Sequence, residues 1–245
     1  MAASRRLERP AFYALRPGGW RDVVTVLHLP YTAWHLSYVA IGAALAPTFH
    51  GGRLLAALAA FFLAVGIGAH ALDELQGRPL RTRLSDGALR AMAAASLTAA
   101  IGIGVAGCVI VSATLLPFVV LGAFLAVAYN LELFGGRLHS DAWFALAWGA
   151  FPVLTGYWAC ALTLRVEALL AAAACAALSL GQRRLSTPVR ELRRRTEAVS
   201  GEQRLRDGTV RTLDAQGLAA PLEGALRALS VGVVLLAGAL VGTRL

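Results

Sequence analysis

Residues 68–87 read GAHALDELQGRPLRTRLSDG and follow a long, almost uncharged run. They bring together His70, Asp73, Glu74, Arg78, Arg81 and Arg83. On a helix, His70, Asp73 and Glu74 at i, i+3 and i+4 share one face. Carboxylates there can hold a divalent cation, and Mg²⁺ takes one or two protein carboxylates with phosphate oxygens completing its shell. The arginines that follow can bind phosphate directly, because the guanidinium fork matches its geometry. The same residues also read as a solvated helix end in which the arginines pair with Asp73 and Glu74.

Three more groups have comparable potential. Glu132, His139 and Asp141 fall between two apolar runs, and SDAW (140–143) fits a helix start capped by Ser140 or Asp141. Alternatively, His139 and Asp141 join His70, Asp73 and Glu74 in a His/carboxylate site suited to Zn, Mn or Fe as well as Mg. Tyr129 and Asn130 stand close enough in sequence to add polar contacts. Thr25, His28, Thr32, His35 and Tyr38 recur at steps of three or four and line one helical face. Such groups satisfy one another across helices or line a substrate cavity. Finally, LGQRRLSTPVRELRRR (180–195) carries Arg183, Arg184 and Arg190, which can attract a diphosphate or lie on anionic lipid heads.

The elements that position these groups follow from composition. Apolar residues make up 58% of the 245-residue chain, and no sustained polar region precedes residue 182. That excludes an ordinary soluble domain. A helix crosses a hydrocarbon core with about 20 apolar residues. Seven windows qualify: 23–47, 52–72, 88–107, 111–130, 142–162, 165–182 and 222–243. The expected fold is therefore an all-α polytopic membrane bundle of about seven transmembrane helices. It is read as one domain over 1–245, with a basic arm at 1–21 and a basic segment at 183–221 before the last helix. The 23 basic residues are all arginine. With the N-terminal arm cytoplasmic, 20 of them fall inside and only Arg53, Arg165 and Arg244 outside. The positive charge thus reads as a topology signal for the cell membrane, with membrane lipids and no nucleic acid as partners. The first apolar run is too long and too far in for a secretory signal. Cys108, Cys160 and Cys175 fall in spans without metal-ligand spacing and read as core residues.

The order of motifs carries a resemblance. LRPGGW…LHLPYTAWHLSYVAIGAALAP, the acid-containing end of the second span and GRPLRTRLSDGAL resemble the UbiA superfamily of intramembrane prenyltransferases. AYNLELFGGR (128–137) resembles the tyrosine-containing end of that family's fourth helix, and WGAFPVLTGYWA (148–159) resembles its fifth. The match covers residues 15 to 182. Asp73 takes the middle acid of the family's N-x-x-x-D-x-x-x-D motif, while Ala69 and Gly77 stand where the flanking ligands belong. Gln182 and Ser186 occupy the region of the second acidic motif, where no Asp is present, and a single span follows.

The resemblance implies a divergent enzyme that ionises an isoprenoid diphosphate for prenyl transfer or cyclisation. Asp73, Glu74 and His70 would be its catalytic and metal-holding groups, with a divalent cation such as Mg²⁺ as cofactor. Arg78, Arg81, Arg183, Arg184 and Arg190 would bind the diphosphate, alongside Tyr129, Asn130, His28, His35 and Tyr38. Tyr31, Trp34, Tyr38 and Tyr129 could face an allylic cation. The missing acids equally predict a non-catalytic lipid- or partner-binding protein on the same scaffold. A transporter is the weakest expectation, because no broken pair of spans stands in corresponding positions.

Overall fold

The computed structural model describes residues 7–245, so Arg5 and Arg6 of the charge argument lie outside the described residues. The apolar runs become helices whose ends follow their caps. The helices are α1 (Trp20–Val26), α2 (Leu29–Leu45), α3 (Gly51–Leu75), α4 (Asp86–Ile110), α5 (Ala113–Asn130), α6 (Asp141–Ala161), α7 (Val166–Arg194) and α8 (Ala215–Gly242). An antiparallel hairpin, β1 (Glu202–Arg204) with β2 (Val210–Thr212), separates α7 from α8. The side chains of Ser85, Ser140 and Asp214 accept from the amides of Ala88, Trp143 and Gly217 and start α4, α6 and α8. At α6 the cap is Ser140, one of the two expected residues.

Six helices, α3 to α8, are long and apolar enough to cross a membrane. The chain is an all-α integral membrane bundle. The expected first span, 23–47, is not one helix. His28 takes a left-handed conformation (φ 45°, ψ 46°) between α1 and α2. Pro30 explains the break: its ring would strike the carbonyl of Val26 in a continuous helix, and it donates no N–H. Thr32 Oγ1 donates to Leu27 O at 2.5 Å, satisfying a carbonyl that the break exposes.

The 17 residues of α2 run through the middle of the bundle. Trp34, Tyr38 and Ile41 pack with Val153 of α6, Ala172 and Cys175 of α7, and Val233 and Ala237 of α8. Two glycines bring the α2 and α6 backbones into contact. A Cβ on Gly42 would sit 2.0 Å from Val153 O, and one on Gly156 would sit 2.1 Å from Val39 O. Small residues allow this approach where no hydrophobic force draws helices together. Cys160 and Cys175 are buried, Cys108 is half-buried, and all three are free thiols.

The basic segment after residue 182 also departs from expectation. Helix α7 continues three turns further, to Arg194, with Pro188 inside it. Gln182, Ser186 and Val189 on this extension are buried, so tertiary packing supports the helix beyond the apolar run. Arg193 and Glu223 form an ion pair from α7 to α8, with Arg193 Nη2 donating to Glu223 Oε2 at 2.9 Å. Removing one partner of a buried pair leaves the other uncompensated. Arg193→Met is expected to destabilise the protein by about 3 kcal/mol, read as a lower thermal midpoint in detergent.

Wide π-helical turns interrupt two spans, at Phe62–Ala69 in α3 and Leu146–Ala150 in α6. Such turns offset the helix register and redirect carbonyls, commonly at functional sites. Here Gly66 O accepts from His70 Nδ1 at 3.3 Å, and Trp148 O accepts from His35 Nδ1 at 2.9 Å.

Candidate functional site

At the end of the bundle that carries the arm and the α3–α4 loop, a polar cavity of about 150 Å³ opens between the helices. Helix α2 contributes Tyr31 and His35, with His28 at the break before it. From α3, His70 and Asp73 face inward on the turns following the wide segment. Helix α5 presents Tyr129 and Asn130 from its last turn, with His139 just beyond, and α7 presents Gln182, Arg183, Arg190 and Arg194. Of the expected site residues, the structure brings His28, His35, His70, Asp73, Tyr129, Asn130, His139, Arg183 and Arg190 together.

The other expected site residues lie elsewhere. Glu74 is fully buried and faces away, accepting from the amides of Leu80 and Thr82 at 2.9 Å each and from Thr82 Oγ1 at 2.8 Å. Successive residues project about 100° apart around a helix axis, so Asp73 and Glu74 cannot both point into one small cavity. Glu74, expected among the catalytic and metal-holding groups, does not line the cavity and instead organises the α3–α4 loop. Arg78 donates to Leu84 O at 2.5 Å and pairs with Asp86, while Arg81 and Arg184 are exposed. None of these three arginines lines the cavity. Tyr38 is in the core and accepts from Trp34 Nε1. Asp141 stands outside the cavity as the partner of Arg183 (Oδ1 to Nε 2.5 Å).

The interior has a definite hydrogen-bonding pattern. His28 and His70 stack with ring centroids 4.1 Å apart, and His139 stacks on Tyr129 at 4.4 Å. Arg183 Nη1 donates to Tyr129 OH at 2.5 Å, so Asp141 and Tyr129 fix that guanidinium. A carbonyl can only accept, so the bond to Trp148 O puts the His35 proton on Nδ1 and leaves Nε2 bare. His28 Nε2 and Gln182 Oε1 are buried and have no partner among the described residues.

The N-terminal arm, absent from the expected site, closes the mouth. Arg193 Nη1 donates to Arg9 O at 3.1 Å and Arg194 Nε to Pro10 O at 3.2 Å. The Arg227 guanidinium covers the ring of Phe12 at 4.9 Å. Tyr13 OH lies 3.0 Å from His28 Nδ1, and burial pushes its pKa above the ordinary tyrosine value, so the hydroxyl stays protonated. Asp22 is buried and anchors the arm, accepting from Gly18 N at 3.0 Å and from Arg83 N of the α3–α4 loop at 3.1 Å.

Among the described residues, no three His, Cys, Asp or Glu side chains converge as metal ligands. The polar cavity offers one carboxylate, Asp73, which takes part in none of the ion pairs among the described residues. One carboxylate fits a single divalent cation that shares phosphate oxygens. It does not fit a pair of cations held by two acidic clusters.

A second cavity, apolar and about 460 Å³, runs between α3, α4, α5 and α6. Leu97, Ile101, Phe118, Val119, Leu125 and Phe151 give its character. Val65 and Trp148 line both cavities, so these two side chains stand between the polar chamber and the apolar one. The chain matches no protein-family model, no curated protein and no solved structure.

Proposed function

We propose that the chain is a divergent UbiA-type membrane enzyme that binds an isoprenoid diphosphate and ionises it. The observation that carries this reading is that a basic polar cavity and an apolar one lie side by side, with Val65 and Trp148 lining both. The diphosphate sits among the α7 arginines and the prenyl tail lies between α3, α4, α5 and α6. By the arginine distribution, the head-group end faces the cytoplasm.

Ionisation breaks the allylic C1–O bond, and the electron pair leaves with the diphosphate. Fixed guanidinium groups stabilise the charge that develops there. Asp73 is the lining carboxylate able to hold a divalent cation, Mg²⁺ above all, which when bound neutralises phosphate charge. The cation left behind lies near the π faces of Tyr129 and Trp148. It is captured by an acceptor, or by a double bond of its own chain, and then loses a proton. His35, with Nδ1–H held by Trp148 O, presents a bare Nε2 that can take this proton.

The test is pyrophosphate release from farnesyl or geranylgeranyl diphosphate by the purified protein across a range of divalent metals. Release is expected, with Asp73→Ala lowering it about 100-fold or more. Ala123→Trp, which fills the apolar cavity, is expected to raise KM for the prenyl substrate and leave inorganic pyrophosphate binding unchanged. No release with any metal, and no effect of Asp73→Ala, would overturn catalysis and leave a lipid-binding protein on the same scaffold.

A further inference from the structure

The charges lining the polar cavity, three arginines against one carboxylate, do not match a head group held by a pair of metal ions. We infer that Arg190 and Arg194, backed by Arg183, bind the diphosphate directly, so that its binding needs no divalent cation and Asp73 opposes it. The inference rests on the diphosphate reading and specifies which groups of the chain grip the head.

Register on α7 places these arginines together. At 100° per residue, Arg190 and Arg194 fall within about 20° of the Arg183 direction, one on each side. All three line the same cavity. Arg183 is committed to Asp141 and Tyr129. Arg190 donates to Thr187 Oγ1 at 3.1 Å, and Arg194 uses Nε on Pro10 O. Neither Arg190 nor Arg194 pairs with a carboxylate among the described residues. Like charges four residues apart repel on a helix, and an anion lying between them removes that repulsion. The two residues are about 6 Å apart along the axis, a spacing that lets one guanidinium serve each phosphate.

Two buried polar atoms beside these arginines also lack partners. Tyr13 OH and His28 Nδ1 share a hydrogen bond, and His28 Nε2 has no partner among the described residues. Gln182 Oε1 on the same cavity likewise has no partner among the described residues. Guanidiniums without a carboxylate partner on a cavity wall call for an anion. Against them stands one carboxylate, Asp73, and it repels the same ligand.

Equilibrium titration of the purified full chain in detergent with inorganic pyrophosphate tests this. Binding is expected in EDTA, with less than about threefold change when Mg²⁺ replaces the chelator. Arg190→Gln and Arg194→Gln should each weaken it at least tenfold, whereas Arg204→Gln on the exposed hairpin should leave it unchanged. Asp73→Asn gives the sharpest sign: affinity should hold or rise, because a like charge is removed. Dioleoyl phosphatidic acid in the same micelles should compete at least tenfold more weakly. Tighter competition would make a membrane phospholipid the occupant and overturn the proposal. Binding that appears only with Mg²⁺, and disappears in Asp73→Asn, would overturn the direct grip while leaving the diphosphate reading intact. No binding of wild-type protein in either condition would remove the diphosphate reading together with the inference.

Discussion

Adding a single methyl group at Gly42 or Gly156 is expected to stop the bundle from closing. The new Cβ at Gly42 would lie 2.0 Å from Val153 O and 2.8 Å from Val153 C, and that at Gly156 would lie 2.1 Å from Val39 O. These neighbours are backbone, so no side chain can rotate away. Relief requires α2 and α6 to separate along their shared length, opening the cluster in which Val39 and Ala43 pack on Tyr157 and Cys160. A helical alanine is favoured over glycine by roughly 0.5–1 kcal/mol. The lost packing across two core clusters outweighs that gain, and destabilisation above about 4 kcal/mol is expected. Thermal unfolding of Gly42→Ala and Gly156→Ala in detergent measures it. Gly102→Ala is the control, since its Cβ meets nothing within 4 Å; it should unfold at or above the wild-type temperature. A wild-type midpoint for Gly42→Ala would contradict the α2–α6 contact.

Glu74→Ala should produce the second large effect. The carboxylate is fully buried and accepts three hydrogen bonds from Leu80 and Thr82, themselves 2% and 8% exposed. Its removal strands two buried amides and a hydroxyl. Hydrogen bonds to a charged group contribute about 1.5–3 kcal/mol each, so a net loss of about 3 kcal/mol or more is expected. The loop also holds Arg78 and Arg81 at φ 55° and 56°, conformations that non-glycine residues rarely adopt. Without the carboxylate, the Arg78 contacts to Leu84 O and Asp86 and the Arg83 N bond to Asp22 are left to hold that strained backbone. Thermal midpoints should fall in the order Thr82→Val, Glu74→Gln, Glu74→Ala. A catalytic or metal-binding Glu74 would instead give variants of wild-type stability and altered metal dependence.

Much of the bundle was legible because apolar runs long enough to span a membrane have few other uses, and six of the seven windows became such helices. The break at His28 was hidden by continuous polar spacing from Thr25 to Tyr38, although Pro30 was its signal. The continuation of α7 was hidden differently. Its arginines read as a cytoplasmic loop, while positions 182, 183, 186, 190 and 194 already kept helical spacing. Following that spacing would have added Arg194 to the site. Asp73 and Glu74 were grouped by i, i+3, i+4 spacing, yet adjacent residues diverge around a helix and one had to turn away. The π-helical turns at Phe62–Ala69 and Leu146–Ala150 depend on packing between helices and leave no pattern in the residues. Tyr13 had no signal, since its partner His28 is reached only by folding the arm back.

The arm over the cavity has a consequence for how the protein is made. Its anchors, Arg193 and Arg194, follow Arg9 and Pro10 by 184 residues. At about 5–20 residues per second of synthesis, the arm waits roughly 10 to 40 seconds before those guanidiniums exist. The segment translated early is therefore the one docked late. Until α7 is inserted, the chamber between α2, α3 and α5 has neither its arginines nor its cover, so the nascent chain cannot trap an anionic ligand before the bundle is complete.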